Sequence, residues 1–259
     1  MQPTLDFIKQ IGRQAGDILE NFIGEDLDIR HKSRTDLVTK ADHASEDFLI
    51  GEIREAFPNH AINAEESGQL AGTLKHQWFI DPLDGTLNYA HGVPIYCVSI
   101  AYAYQGELML GVIYDPTRDE MFSAENGQGA FLNDKPIDVS DYENLIDCML
   151  VTGFPHDEWG TPNDNVINFI HFSKQTQTVR RLGSAALDIA YVAAGRLDGF
   201  WEVSINSWDV AAGGLLVREA GGKVTNLDGD PNFLKEPISI VAANPVIHSK
   251  MMPVIVKIE

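Results

Sequence analysis

Trp78-Phe79-Ile80-Asp81-Pro82-Leu83-Asp84-Gly85-Thr86-Leu87-Asn88-Tyr89 is the stretch whose reading decides this chain. Its apolar start, ending in Ile80, has the character of a buried strand. Asp81 and Asp84 follow at once, and Pro82 rules out a continued helix or strand ladder between them. Gly85 and Thr86 offer a tight turn and a helix start, where free backbone N–H groups can hold an anion. Carboxylates call for a hard cation and N–H groups for phosphate, so the loop reads as a Mg²⁺–phosphate site. Asp-Pro and Asp-Gly also make ordinary turns. Two carboxylates at the end of a buried strand, however, repel each other unless a cation compensates them.

The composition agrees with such a site. The chain has 259 residues, 44% of them hydrophobic and 22% charged, an ordinary globular balance. Nineteen basic against 38 acidic residues leave a net charge of −19. That acidity opposes binding to nucleic acid or to an anionic membrane, and it would repel a phosphorylated substrate unless cations intervene. Cys97 and Cys148 stand in apolar runs without zinc spacing, as buried free thiols would. With neither a signal-peptide pattern nor an apolar run of about 18 residues, a cytoplasmic protein is expected.

Apolar spacing predicts a helix over 4–23, then a strand or loop over 26–34 that carries His31, Lys32 and Arg34. A second helix, capped near Thr39, runs to Phe57 and places Asp42 in its first turn, where position alone suggests only a macrodipole partner. A strand over 61–64 delivers Glu65 and Glu66. A hairpin over 95–104 and 108–115 continues into strands at 121–124 and 130–132. After a polar connection at 138–147, strands at 149–153, 197–203 and 239–243 alternate with helices at 163–173, 184–194, 207–220 and 246–255. Ser184 caps one of these helices; Asp209 and Ser207 are equally good caps for another. A meander followed by alternating elements points to layered sheets and helices, with a largely antiparallel first sheet.

Taken together, the acidic residues follow a familiar pattern. The chain resembles the inositol monophosphatase family of Mg²⁺-dependent, lithium-sensitive phosphatases. The resemblance rests on residues 78–86, continuing Asn88-Tyr89-Ala90-His91, and on Trp208-Asp209-Val210-Ala211-Ala212-Gly213 followed by Glu219-Ala220-Gly221-Gly222. Asp36-Leu37-Val38-Thr39-Lys40-Ala41-Asp42, Ala64-Glu65-Glu66-Ser67 and Gly183-Ser184-Ala185-Ala186 lie collinear with them. It implies an α+β fold, an αβαβα sandwich of the inositol monophosphatase and fructose-1,6-bisphosphatase type. An N-terminal half, 1–147, would carry most metal ligands, and a C-terminal half, 148–259, would carry Asp209 and substrate contacts, in one compact unit.

The resemblance also implies roles. Asp81 would bridge two Mg²⁺ ions, with Glu65 and the Leu83 carbonyl completing the first site and Asp84 and Asp209 holding the second; a third, looser ion would lie near Glu65. Phosphate would rest on the N–H groups of Gly85 and Thr86, while Asp42 and Thr86, with Glu65 beside them, would ready the attacking water. Asp84, Ser184, Ala185 and Glu202 would meet substrate hydroxyls. Lys32 would lie in a segment that closes over the metals. The implied activity is hydrolysis of inositol monophosphate by a homodimer. Fructose 1,6-bisphosphate, other sugar or nucleotide phosphates, and a non-catalytic regulatory role such as some relatives play with transcription machinery are the alternatives. An aspartyl-phosphate mechanism fits less well, because its two acids stand two residues apart and these stand three apart. Arg180 and Arg181 would serve as structural ion pairs or meet a second phosphate, and His91 would pack or hydrogen-bond locally rather than perform acid–base chemistry.

Overall fold

A computed structural model describes residues 1–32, 37–155, 160 and 164–256. Arg34, Asp36 and the expected helix start at Asn163 lie outside the described residues. In chain order the elements are α1 (Leu5–Asn21), β1 (Arg30–His31), β2 (Leu37–Val38), α2 (Lys40–Ala56), β3 (His60–Ala64), β4 (Gly68–Leu70), β5 (Thr73–Asp84) and α3 (Thr86–Ala90). There follow β6 (Cys97–Tyr104), β7 (Glu107–Asp115), β8 (Glu120–Glu125), β9 (Gly129–Leu132), β10 (Lys135–Ile137) and β11 (Met149–Thr152). The chain ends with α4 (Val166–Ser173), β12 (Thr178–Arg180), α5 (Ala185–Ala193), β13 (Gly199–Glu202), α6 (Ser207–Glu219), β14 (Lys223–Thr225), β15 (Ile240–Ala243) and α7 (Pro245–Met251).

An eight-stranded sheet runs β10-β9-β8-β7-β6-β5-β3-β4, antiparallel except where β3 lies parallel to β5. A five-stranded sheet runs β12-β11-β13-β15-β14, with β11 parallel to both its neighbours and the remaining pairs antiparallel. Three apolar clusters hold five structural layers together. On one face of the large sheet Ile8, Ile11 and Leu19 of α1 and Leu49 and Ile53 of α2 meet Trp78, Ile80 and Ile100. Between the sheets, Leu187 and Ile189 of α5 and Leu215 and Leu216 of α6 pack against Phe79, Ala101, Phe200 and Ala242. Phe172 of α4 and Ile247 and Met251 of α7 cover the outer face of the small sheet at Leu150, Trp201 and Val241. The order is α, β, α, β, α, the expected sandwich.

Alternation along β5 explains this layering, since Trp78 and Ile80 point to one core and Phe79 to the other. Pro82 does not end the strand as expected. Asp81 pairs with Ser99 and Asp84 with Cys97, so three steps on β5 oppose two on β6. This bulge absorbs the residue that lacks an N–H and keeps the ladder intact on either side. The helix expected over 163–173 begins only at Val166, behind Asn165 in a left-handed conformation (φ 64°). The cap of α6 is Asn206, neither Ser207 nor Asp209. The short strands β4, β10, β12 and β14 escape periodicity because each spans only three residues.

Trp78 has no solvent exposure and is the largest side chain under α1. Its truncation should cost about 3–5 kcal/mol, whereas Leu74→Ala, at a position 74% exposed, should stay within about 0.5 kcal/mol. Urea unfolding of Trp78→Ala and Leu74→Ala checks the contrast.

Candidate active site

Six element ends converge on one cleft of about 550 Å³. The end of β5 supplies Asp81, Leu83 and Asp84; the turn after β3 supplies Glu65; the start of α3 supplies Gly85 and Thr86. From the other sheet come Ser184, Ala185 and Asp188 at the start of α5, Glu202 at the end of β13, and Asp209 in the first turn of α6. Asp81, Asp84 and Asp209 each present an oxygen within 4.8 Å of the other two. Glu65 faces the same cleft, but its Oε1 accepts a hydrogen bond from Lys32 Nζ at 2.9 Å, and Lys32 also binds Glu66.

The supports of these side chains are polar and buried. Ser184 Oγ donates to Asp84 Oδ2 at 2.6 Å and the Ala186 N–H donates to the same oxygen at 2.7 Å. The Leu83 N–H donates to Asp81 Oδ1 at 3.0 Å. Ser45 Oγ donates to the Pro82 carbonyl at 3.0 Å, tying α2 to the bulge. Asn63 donates to Ser207 Oγ at 2.8 Å and Ser99 to the Trp208 carbonyl at 3.1 Å, fixing the start of α6 against the large sheet. Glu46 accepts the N–H groups of Glu66 and Ser67, both at 2.8 Å, and so shapes the turn that holds Glu65.

Asp42 does more than accompany a helix dipole. One oxygen accepts the Thr39 N–H at 2.8 Å and the Thr39 hydroxyl at 2.6 Å, closing the cap of α2. The other lies 3.0 Å from Thr86 Oγ1, which stands equally 3.0 Å from the Leu83 carbonyl. Thr86 has one proton to offer to these two acceptors, and its oxygen lone pairs remain available. Gly85, at φ +96°, allows this tight entry to α3, and a Cβ there would meet the Ile95 carbonyl at 2.8 Å.

Burial and neighbouring acids dominate the electrostatics. Burial, followed by Glu65, Asp84 and Asp209, pushes the Asp81 carboxyl well above the ordinary range. Burial and then Asp84 lift Asp209 to about 7. Burial lifts Glu65 to about 8 despite Lys32, with Asp209 and Glu66 adding to the rise. Burial likewise raises Asp84 against its hydrogen bonds from Ser184 and Ala186, and raises Asp42 against those from Thr39 and Thr86. Asp188 and Glu202 are both driven well up by burial and by neighbouring acids, with Arg181 opposing.

The whole chain, residues 1–259, matches the family model described as "Inositol monophosphatase family". The chain belongs to the inositol monophosphatase family. It is 41% identical over 256 residues to the inositol-1-monophosphatase of Mesorhizobium japonicum, covering 98% of this chain and 96% of that protein. It is 44% identical over 252 residues to the Nus factor SuhB of Pseudomonas aeruginosa, covering 94% and 92%. The solved inositol monophosphatase of Anabaena superposes with a TM-score of 0.88 at 45% identity, covering 96% of this chain and 94% of that one. The family is one of metal-dependent phosphatases, and the acidic cluster fits a metal. Its donors are hard carboxylate oxygens brought within 4.8 Å of one another, and an ammonium already sits between Glu65 and Glu66.

The cleft thus gathers Asp81, Leu83, Asp84, Gly85, Thr86, Glu65, Ser184, Ala185, Glu202 and Asp209, with Asp42 directly behind Thr86. Sequence reasoning passed over Asp188, although it lies one helical turn after Ser184 on the same face of α5. Glu46, Asn63 and Ser99 carried no local signal, because their partners lie 20 to 144 residues away in the chain. No helix among the described residues is long and apolar enough to cross a membrane.

Carboxylates with raised folded-state pKa values give the cation-free fold more bound protons than the unfolded chain. Their stabilisation is therefore present at low pH and lost as pH rises through about 7 for Asp209 and about 8 for Glu65. His60 and His248, both lowered by burial to about 4, slope the other way, but only below the ordinary histidine pKa of about 6.5. In chelator, the melting temperature should fall across pH 7 to 8, and saturating divalent cation should remove that fall. A flat melting profile in chelator would contradict this.

Proposed function

We propose that this chain hydrolyses the phosphate monoester of a small polyol, inositol monophosphate foremost, with Mg²⁺ as its cation. The observation that carries the reading is the meeting of Asp81, Asp84 and Asp209 beside the Gly85–Thr86 helix start and the Asp42–Thr86 hydrogen bond. Asp81, Asp84, Asp209, Glu65 and the Leu83 carbonyl would hold the cations. Divalent metal bound there would lower the pKa of a water and offset charge on the phosphoryl and leaving oxygens.

The rest falls to the chain. Free N–H groups of Gly85 and Thr86 orient the phosphate at the first turn of α3. Asp42, fixed by Thr39, accepts the Thr86 proton, which leaves a Thr86 lone pair to accept from the attacking water and hold it in place. Glu202 and the start of α5 at Ser184 and Ala185 line the same cleft, and the carboxyl oxygens of Glu202 suit hydroxyl donors of the alcohol. The homodimer expected from the resemblance, and the division near residue 147 into a half bearing most metal ligands and a half bearing Asp209 and substrate contacts, complete the proposal.

A second reading comes from relatives named Nus factor SuhB, such as that of Pseudomonas aeruginosa: a binding role in transcription, independent of turnover. An Asp81→Asn protein that keeps its cellular role without activity would favour it.

Thr86→Ala keeps the N–H and removes the hydroxyl, so kcat on inositol 1-phosphate should fall about 10²–10⁴-fold while metal affinity by calorimetry is retained. Asp42→Asn should lose a similar factor, and the double variant should be little worse than either, because the pair acts as a unit. Multiplying losses, or near-normal kcat in Thr86→Ala, would dismiss the water-positioning role. Exhaustive chelation should abolish turnover, and Mg²⁺ should restore it.

A further inference from the structure

Beside the acidic cluster, the cleft contains two further acids, each with a buried oxygen that binds nothing among the described residues. Asp188 is 1% exposed and Glu202 7% exposed, and both line the cleft. Asp188 Oδ1 and Glu202 Oε2 are fully buried and find no hydrogen-bond partner among the described residues. A buried carboxyl oxygen without a partner is costly, because it has given up water for nothing. The two groups also feel each other's charge, which adds to the cost.

The fold makes room for this arrangement. Gly153, just beyond β11, also lines the cleft, and a Cβ on it would lie 2.3 Å from Glu202 Oε2 and 2.5 Å from Oε1. Any side chain there would evict the carboxylate. Asp188 sits in the first turn of α5, four residues after the Ser184 whose hydroxyl holds Asp84. The helix that buttresses one edge of the acidic cluster therefore presents Asp188 to the same cavity. Arg181 stands at the rim with its guanidinium 5.4 Å above the Phe154 ring, and its charge reaches both acids from outside the wall.

We propose that Asp188 is a specificity-determining residue, which with Glu202 forms a two-acid clamp for adjacent hydroxyls of a neutral polyol ring. The inference rests on the phosphatase reading and names the part of the substrate that the reading leaves open. Of each acid's two oxygens it is the one not fully buried, Asp188 Oδ2 and Glu202 Oε1, that is available to a pair of O–H donors on neighbouring carbons. The same two acids offer no positive charge to a second phosphate or a carboxylate, so the clamp favours a monoester whose remaining substituents are uncharged. Phosphate orientation and hydroxyl recognition then fall to different elements of the cleft, α3 for the first and α5 with β13 for the second.

The test compares myo-inositol 1-phosphate with p-nitrophenyl phosphate, which has no hydroxyl to clamp. Asp188→Ala and the equal-sized Asp188→Asn are assayed on both esters, with melting temperatures to confirm folding. The ratio of kcat/KM, inositol phosphate over nitrophenyl phosphate, should fall about 10-fold or more in Asp188→Ala. KM for the inositol ester should carry most of that change. Glu202→Gln should lower the same ratio, and the double variant should lower it by less than the product of the single effects. A ratio that stays within about twofold of wild type, the order of variation expected without a lost contact, would overturn the clamp. A parallel loss on both esters would overturn it equally. Calorimetric titration with myo-inositol 1-phosphate separates the two readings. Absence of turnover of both esters by the wild type would overturn the phosphatase reading. Equal titration curves for wild type and Asp188→Ala would overturn the clamp.

Discussion

Repulsion among carboxylates that share one buried cleft is the constraint to which the rest of the molecule answers. Asp81, Asp84 and Asp209 bring oxygens within 4.8 Å of one another, at the end of one strand and the start of one helix. Such a cluster persists only where the surrounding fold over-determines it. Here the determinants are hydrogen bonds from α5 to Asp84, from Ser45 to the bulge, and from Asn63 and Ser99 to the start of α6. The hydrophobic layers hold the two sheets and the helices between them, and the polar ties set where the acids point.

Helix starts recur around the cleft. Asp42, Thr86, Ser184, Asp188 and Asp209 all lie at or within the first turn of their helices. There the backbone carries partial positive charge and unpaired N–H groups, which moderate the cost of gathering acids. Asp42 shows how tightly stability and chemistry are joined, since one of its oxygens caps α2 and the other meets Thr86. Lys32 contributes from outside these helices, with its ammonium between Glu65 and Glu66.

Much of this was legible in the sequence, for definite reasons. The acids at 81 and 84 announce themselves through an apolar run broken by Pro82 and Gly85, and α1, α2, α5 and α6 through long apolar spacing with recognisable ends. The layer order came through the family resemblance, since strand order between distant segments leaves no local trace. Three-residue strands show no measurable alternation, so β10, β12 and β14 went unread. Asp42 read as a simple dipole partner because its second hydrogen bond spans 44 residues. Asp188 was hidden in plain view, since an acid in the first turn of a helix needs no further explanation until its oxygen is seen to lack a partner.

The bulge at Pro82 and Leu83 acts as an index mark on β5. Side chains alternate along a strand, so sliding β5 one residue past β6 would carry Asp81 to the opposite face and bring a neighbour in its place. Two residues, Pro82 and Leu83, oppose the single Val98 between the Asp81 and Asp84 pairs, and nowhere else along this pairing does the register shift. The spacing of the two acids is therefore written into the pairing of the backbone and does not depend on how neighbouring side chains pack. Core substitutions in a layered protein of this kind can wear down its cohesion while the interval between its two key oxygens stays fixed, as the teeth of a ratchet keep their pitch when the spring weakens.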